Sequence, residues 1–246
     1  MDATTIAVIA VLMGFAAALY STVGHGGASA YLAIMALFAV APETMRPTAL
    51  ALNLVVAGLG SWRYWRAGQT NLRLLLLFAA TAVPAAFIGG GIQVAPEIYR
   101  PLVGAMLLIA ALRLFWHPSD LARRELRRVS AAVALPVGAV LGLLAGLTGT
   151  GGGIFLSPLI ILFRWEDARR TSGIVAGFIL LNSIAGLAGN FASVRSLPAE
   201  LPFFAGAVVL GGIVGTSLGA GRLPKPRLLQ GLGLVLVIAG AKLIFA

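Results

Sequence analysis

The sequence predicts an all-α fold: a polytopic membrane helix bundle of two inverted-topology repeats, with short broken or re-entrant helices at two glycine loops. Composition is the first indication, because 59% of the 246 residues are hydrophobic and 11% are charged, with a mean hydropathy of +0.98. Soluble domains carry about 25% charged residues. Apolar runs extend from Ile6 to Phe245, too far for one soluble core. The other two indications are a duplicated glycine loop and the placement of the cations.

Ten apolar segments follow one another along the chain. The predicted segments are 5–23, 28–42, 46–65, 72–92, 99–116, 131–148, 153–164, 171–192, 200–221 and 228–245. Most prolines fall near a boundary, where helices tolerate them, whereas Pro84, Pro136 and Pro158 predict kinks inside segments. The segments 28–42 and 153–164 are too short to cross a hydrocarbon core of about 30 Å comfortably, at about 1.5 Å per residue.

The two halves of the chain resemble each other around the glycine loops. Three glycines of one loop match three of the other at a constant spacing: Gly24, Gly26 and Gly27 with Gly149, Gly151 and Gly152. The order of long and short segments is also shared. We therefore predict a first repeat at 1–116, a basic cytoplasmic linker at 117–130 and a second repeat at 131–246.

The cations predict the topology. If each half crosses the membrane an odd number of times, 14 of the 18 Lys and Arg residues lie on one face and 4 on the other. If the first two segments of each half form one broken crossing, the split is 10 to 8. Cytoplasmic loops carry the excess of Lys and Arg, so the odd count is favoured. An odd count in each half inverts the second half relative to the first, as in many secondary transporters. It also predicts that both termini lie outside the cytoplasm. Charge leaves open whether the short segments cross or re-enter, and their shortness favours broken or re-entrant segments.

The glycine loops are the predicted substrate site. Each precedes a short helix, whose N-terminal N–H groups and partial positive charge attract anions. Inverted repeats would bring both loops together near the midplane, so we predict one small anion between Gly24–Gly27 and Gly149–Gly153. Close helix packing by small residues is the alternative explanation. The predicted substrate-binding residues are Gly24, His25, Gly26, Gly27, Ser29, Asn53, Gly149, Thr150, Gly151, Gly152, Gly153 and Asn182.

Five polar side chains have two explanations each. His25 is the one histidine at membrane depth and the candidate for proton coupling; a hydrogen-bonded structural histidine is the alternative. Asn53 and Asn182 occupy similar places in their halves, where an amide lines a substrate path or binds a neighbouring helix. Arg46 and Arg170 are candidates for attracting anions at opposite mouths; interfacial snorkelling explains them equally well.

Several classes of site are disfavoured. The chain has no cysteine, and no acidic residue lies deep in a segment, which argues against a cation pump and fits an anion path. No metal or cofactor is expected. The net charge of +10 is better explained by the positive-inside rule than by nucleic acid, which is not an expected partner. Membrane lipids are expected partners, through the basic linker in particular, and a homodimer stays open.

The loops resemble those of the TauE/SafE family of sulfite exporters, also called transmembrane sulfur-anion transporters. The resemblance lies in Gly24-His25-Gly26-Gly27, in Gly149-Thr150-Gly151-Gly152-Gly153 with Pro158, and in Arg170-Thr171-Ser172. The order of helices and the basic linker extend it over nearly the whole chain. The resemblance implies transport of sulfite, thiosulfate or organosulfonates across a bacterial inner membrane. Ala33 stands where the second copy has Pro158, and His25 where it has Thr150, which leaves cargo and coupling open.

The function expected is that of a secondary transporter, not an enzyme. Small sulfur-containing anions would move by alternating access, with export implied by the resemblance. An anion channel is the main alternative. A membrane-embedded enzyme is less favoured, because the sequence has no nucleophile elbow, no zinc-protease motif and no deep carboxylate pair.

Overall fold

The computed structural model describes residues 2–115, 125–191, 197–219 and 226–245, and this part of the chain contains helices and no strand. The helices are α1 Ala3–Ser21, α2 Ala28–Leu37, α3 Pro42–Arg66, α4 Leu72–Gly91, α5 Pro96–Phe115, α6 Ala131–Thr148, α7 Gly153–Leu162, α8 Ala168–Gly189, α9 Leu201–Gly219 and α10 Pro226–Phe245. Each corresponds to one predicted segment, which confirms the all-helical fold.

Among the described residues, five helices are long and apolar enough to span a membrane: α1, α4, α6, α8 and residues 201–218 of α9. Large apolar side chains point away from the bundle on these helices. Val11 and Phe203 are each 70% exposed, and Leu76 is 61% exposed. Apolar surface on this scale suits a hydrocarbon surrounding and not water, so the chain is a multi-pass membrane protein.

Both short segments form helices even shorter than predicted. α2 and α7 have 10 residues each, a length of about 15 Å and half of a hydrocarbon core. α2 ends before Ala39 and α7 before Arg164, and each of these two residues has a positive φ, 56° and 58°. A non-glycine residue in this region ends a helix. α3 then begins four residues earlier than predicted, at Pro42, because proline is tolerated at the first helical position.

The long helices pack closely through glycines. Gly142 lies against the backbone of Ala82, and Gly146 against that of Ala86, so α4 and α6 run parallel. The same arrangement joins α1 to α9. There Gly14 lies against Ala207 and Gly215 against Ala18, so these two helices are also parallel.

The centre of the bundle is the crossing of α3 and α8. A Cβ built on Gly60 of α3 would lie 3.5 Å from the Cβ of Ala176, and one on Gly186 would lie 3.5 Å from the Leu50 side chain. Ascending positions of α3 therefore meet descending positions of α8, and the two helices are antiparallel. A small buried cluster that includes Ile179 fills the crossing.

The predicted linker is only partly described. Arg123 and Arg124 lie outside the described residues. Arg127 lies within them, and its backbone N–H donates to the carbonyl of Arg164 at 2.7 Å, which ties the linker to the chain just beyond α7.

Candidate functional site

Each glycine loop joins a long helix to a short one. α2 begins after Gly27 and α7 after Gly152, and these N-cap glycines have φ values of 97° and 75°. Residues with a Cβ rarely adopt this conformation, so glycine is needed at both positions. No side chain caps either helix. The first N–H groups of a helix have no intrahelical acceptor, so both starts offer donors and a partial positive charge.

The two loops meet at one point in the bundle. A Cβ on Gly151 would lie 2.8 Å from Nδ2 of Asn53 and 2.9 Å from Cγ2 of Ile179. A Cβ on Gly26 would overlap Oδ1 of Asn53 and lie 3.3 Å from the same Ile179 atom. Both loops therefore contact the same two side chains, one from α3 and one from α8, with no room for a side chain of their own.

The buried amides of α3 and α8 are unsatisfied. Asn53 and Asn182 are both 0% exposed, and neither amide has a hydrogen-bond partner in the part of the chain that the structure describes. The hydroxyl of Ser183, beside Asn182, is also buried and unpartnered, and it would lie 3.4 Å from a Cβ on Gly151. An unsatisfied buried polar group costs about 1–3 kcal/mol. A polar ligand or water is therefore expected at this junction.

The two amides are not equivalent in space, although their places in the sequence suggest it. Gly24 lies against the backbone of Ser172 in α8, and Gly149 against that of Arg46 in α3. These two contacts match Arg46 of α3 with Ser172 of α8. Counting along both helices from that pair, the position of α8 that matches Asn53 is Ile179. Asn182 lies about one turn further along α8. The site has an amide on one side of the loops and an apolar side chain on the other.

Tyrosines fix the first loop. The Tyr31 hydroxyl donates to the Gly26 carbonyl at 2.7 Å, and the Tyr64 hydroxyl donates to the Ser21 carbonyl at 3.0 Å. The hydroxyl of Ser29, a predicted ligand residue, donates to the Tyr20 hydroxyl at 2.9 Å. Sequence reasoning missed these tyrosines because an aromatic residue in an apolar run resembles any core residue.

His25 lies within the first loop and is 8% exposed. Its backbone N–H donates to the Tyr20 carbonyl at 3.0 Å, and its Nδ1 lies 3.2 Å from the Val23 carbonyl oxygen. Because a carbonyl only accepts, this contact assigns the proton to Nδ1. The imidazole stands edge-on to the Tyr20 ring, with 6.0 Å between the centroids. The loop backbone therefore orients the ring at the site.

The second loop is held differently. Thr150 stands in the place of His25, and its hydroxyl lies 2.9 Å from that of Thr148. The Thr148 hydroxyl also contacts the Leu144 carbonyl at 2.7 Å, and the Tyr99 hydroxyl donates to the Thr148 carbonyl at 3.1 Å. A titratable ring is thus present in one loop and replaced by hydroxyls in the other.

The two candidate mouth arginines have different environments. Arg46 is 7% exposed and donates to carbonyls at the C-terminal end of α4. The Arg170 side chain is 56% exposed and lies 4.0 Å from Glu166 and 3.9 Å from Asp167. Only Arg46 touches a glycine loop, through its contact with Gly149.

Similarity to known proteins extends over nearly the whole chain. A family model described as "Sulfite exporter TauE/SafE" matches residues 7–243, which include both loops. The probable membrane transporter protein y4hK of Sinorhizobium fredii is 36% identical over 236 residues, covering 92% of this chain and 93% of that protein. The probable membrane transporter protein YjnA of Bacillus subtilis is 28% identical over 261 residues, covering 95% of this chain and 98% of that protein. No solved structure matches the chain.

Proposed function

This chain belongs to the sulfite exporter TauE/SafE family, as its glycine motifs indicated, and on that premise we propose that it is a secondary transporter of small sulfur-containing anions. The two relatives are named as probable membrane transporter proteins, which supports a transporter. Sulfite, thiosulfate and organosulfonates are the proposed cargo. The proposed direction is export across the bacterial inner membrane, by alternating access about the glycine loops.

The observation that carries the proposal is the meeting of both loops at Asn53. Two uncapped helix starts and the unsatisfied amide of Asn53 supply donors at this buried point, and the unsatisfied amide of Asn182 lies about one turn further along α8. Each helix start contributes roughly half a positive charge. The deep part of this site has no carboxylate among the described residues, which favours an anion over a cation.

Helix directions support the inverted-repeat arrangement. α1 is parallel to α9, and so is α3, because Gly60 lies near Thr216 and Gly212 near Val56. With α1 and α3 in the same direction, the short α2 between them leads the chain back. In the first half this argues against one broken crossing made of α1 and α2, and it supports an odd count of crossings. The antiparallel α3 and α8, the third helices of their halves, agree with inversion. Together with the charge count, the proposed arrangement puts both termini outside the cytoplasm.

Proteoliposome uptake tests the cargo. Sulfite, thiosulfate, sulfoacetate and sulfate are compared with a carboxylate of similar size as the control. We expect a sulfur-containing anion to be transported faster than the carboxylate, with saturation and counterflow, as a carrier requires. A preference for the carboxylate contradicts the proposed cargo. Flux without saturation or counterflow would make the protein a channel instead.

Proton coupling is proposed for His25, because it is the titratable group at the junction of the loops. His25→Ala should abolish proton-linked anion flux while the protein still inserts and folds. His117→Ala, which removes the histidine of the polar linker, is the matched control. Unchanged proton-coupled flux in His25→Ala assigns this histidine a structural role.

A further inference from the structure

The wall of the loop junction has a polar part and an apolar part. Three side chains meet at Gly151 of the second loop, one from α3 and two from α8. A Cβ on this glycine would lie 2.8 Å from Nδ2 of Asn53, 2.9 Å from Cγ2 of Ile179 and 3.4 Å from Oγ of Ser183. The junction therefore offers two hydrogen-bonding groups and, beside them, a methyl group.

The polar part draws on both halves of the chain. Asn53 belongs to the first half and Ser183 to the second, and both side chains are 0% exposed. Neither the amide nor the hydroxyl has a hydrogen-bond partner in the part of the chain that the structure describes. Hydrogen bonds to an ionised group are about twice as strong as neutral ones, so an oxyanion is a ligand that offsets the burial of both groups. Ser183 thus supplies the polar group that α8 lacks at Ile179, its position matching Asn53.

The apolar part is centred on Ile179, which is 2% exposed. Its Cγ2 methyl would lie 3.3 Å from a Cβ on Gly26 of the first loop, and the rest of its side chain lies against Gly153 at the start of α7. Ala57 and Val175 join it in one buried cluster. These three side chains consist of carbon alone, so an anion at the junction finds no side-chain donor on this side.

On the basis of the proposed function, we propose that the junction selects its anion by asymmetry: oxygen atoms bind Asn53 and Ser183, and a face without oxygen lies against Ile179. Thiosulfate has such a face in its terminal sulfur, sulfite in the lone pair of its sulfur, and an organosulfonate in its carbon. Sulfate has four equivalent oxygens, so one of them would be buried against the isoleucine without a donor. A buried acceptor without a partner costs affinity, and more so when it is charged, so the site disfavours sulfate.

Thiosulfate and sulfate are a matched pair of probes, because both are tetrahedral dianions and they differ by one oxygen replaced with sulfur. Each is used to displace radiolabelled thiosulfate from the full-length protein in detergent, which measures binding without transport. We expect the wild-type protein to bind thiosulfate at least about tenfold more tightly than sulfate, the ratio for one lost hydrogen bond to a charged group. Equal displacement by the two anions overturns the inference without any variant.

Ile179→Thr places a hydroxyl in the apolar part. It should tighten sulfate binding at least about tenfold, so that the preference for thiosulfate is lost. Ile184→Thr is the matched control, since it makes the same change on α8 at a side chain that is 50% exposed. An unchanged preference in Ile179→Thr, or the same loss in Ile184→Thr, overturns the selective role of Ile179. If Ile179→Thr fails to fold, the two anions on the wild-type protein decide alone.

Ser183→Ala separates affinity from selectivity. It should weaken the binding of thiosulfate and sulfate alike, at least about tenfold, because the hydroxyl binds oxygen atoms that both anions have. Ser61→Ala is the control, since it removes another buried hydroxyl without a partner, from α3. Wild-type affinity in Ser183→Ala overturns the role of this hydroxyl. A wild-type protein that binds none of thiosulfate, sulfite and sulfoacetate contradicts the proposed function, whereas one that binds thiosulfate and sulfate equally contradicts this inference alone.

Discussion

Asn53 shows how single residues define this site. Its amide is fully buried, lies against both glycine loops and has no partner in the described structure. Its depth in an apolar segment was enough to select it from the sequence. Sequence position alone paired it with Asn182, whereas the structure places Ile179 opposite, because the two helices are offset by about one turn.

Asn53→Leu should separate transport from stability. A buried polar group replaced by an apolar one of similar shape is nearly neutral or stabilising, so the melting temperature should not fall. Lost hydrogen bonds to a charged substrate should raise KM about ten- to hundredfold. The control is Ser61→Ala, which removes a different unpartnered polar group, a hydroxyl, from a later position of α3. If Asn53→Leu transports the anion with the wild-type KM, the Asn53 amide does not bind the substrate.

The short helices are the elements that make a site inside a bundle. α2 and α7 begin directly after loops that both lie against Asn53 and Ile179, and no side chain caps either start. The sequence indicated both, through short apolar segments after glycine runs. It overestimated their lengths because Ala39 and Arg164 adopt positive φ values, which the residue types do not predict.

Gly26→Ala tests the close approach of loop and helix. Gly26 has an ordinary φ, so only the space beside Asn53 and Ile179 opposes a Cβ. We expect a loss of stability of about 1–3 kcal/mol, typical of overpacking, and a loss of anion uptake. Gly206→Ala is the matched control, since nothing lies within 4 Å of a Cβ there. If Gly26→Ala and Gly206→Ala have the same anion uptake and melting temperature, the loop accommodates the added Cβ, and its close contact with Asn53 and Ile179 is not required.

At the scale of the molecule, the crossing of α3 and α8 is one of several contacts between the two halves, beside those of α1 with α9 and α4 with α6. The antiparallel crossing of α3 and α8 brings Gly60 to Ala176 and Leu50 to Gly186. The proposed alternating access would move one half against the other, and this crossing would have to shift with that movement. The odd number of crossings per half that the charge count favours stays a prediction.

A designed disulfide tests the crossing, and the absence of native cysteines makes the test clean. Cysteines at Gly60 and Ala176 would have Cβ atoms 3.5 Å apart, within the range for a disulfide. We expect loss of maleimide labelling on oxidation, loss of transport, and recovery of both with reductant. The control pair is Gly60→Cys with Gly186→Cys, which the antiparallel arrangement keeps apart. Efficient cross-linking of the control pair would contradict the helix directions.

The sequence by itself determined the membrane character, the ten helices and the duplicated glycine loops, because apolar length and glycine content are local properties of the chain. Only the tertiary structure decided that both loops meet at Asn53 and that tyrosines hold the first loop. It also decided that Arg46 is buried against the C-terminal end of α4 while Arg170 is exposed. These features depend on contacts between segments far apart in the chain, and helix packing within the bundle, not local propensity, sets which segments meet.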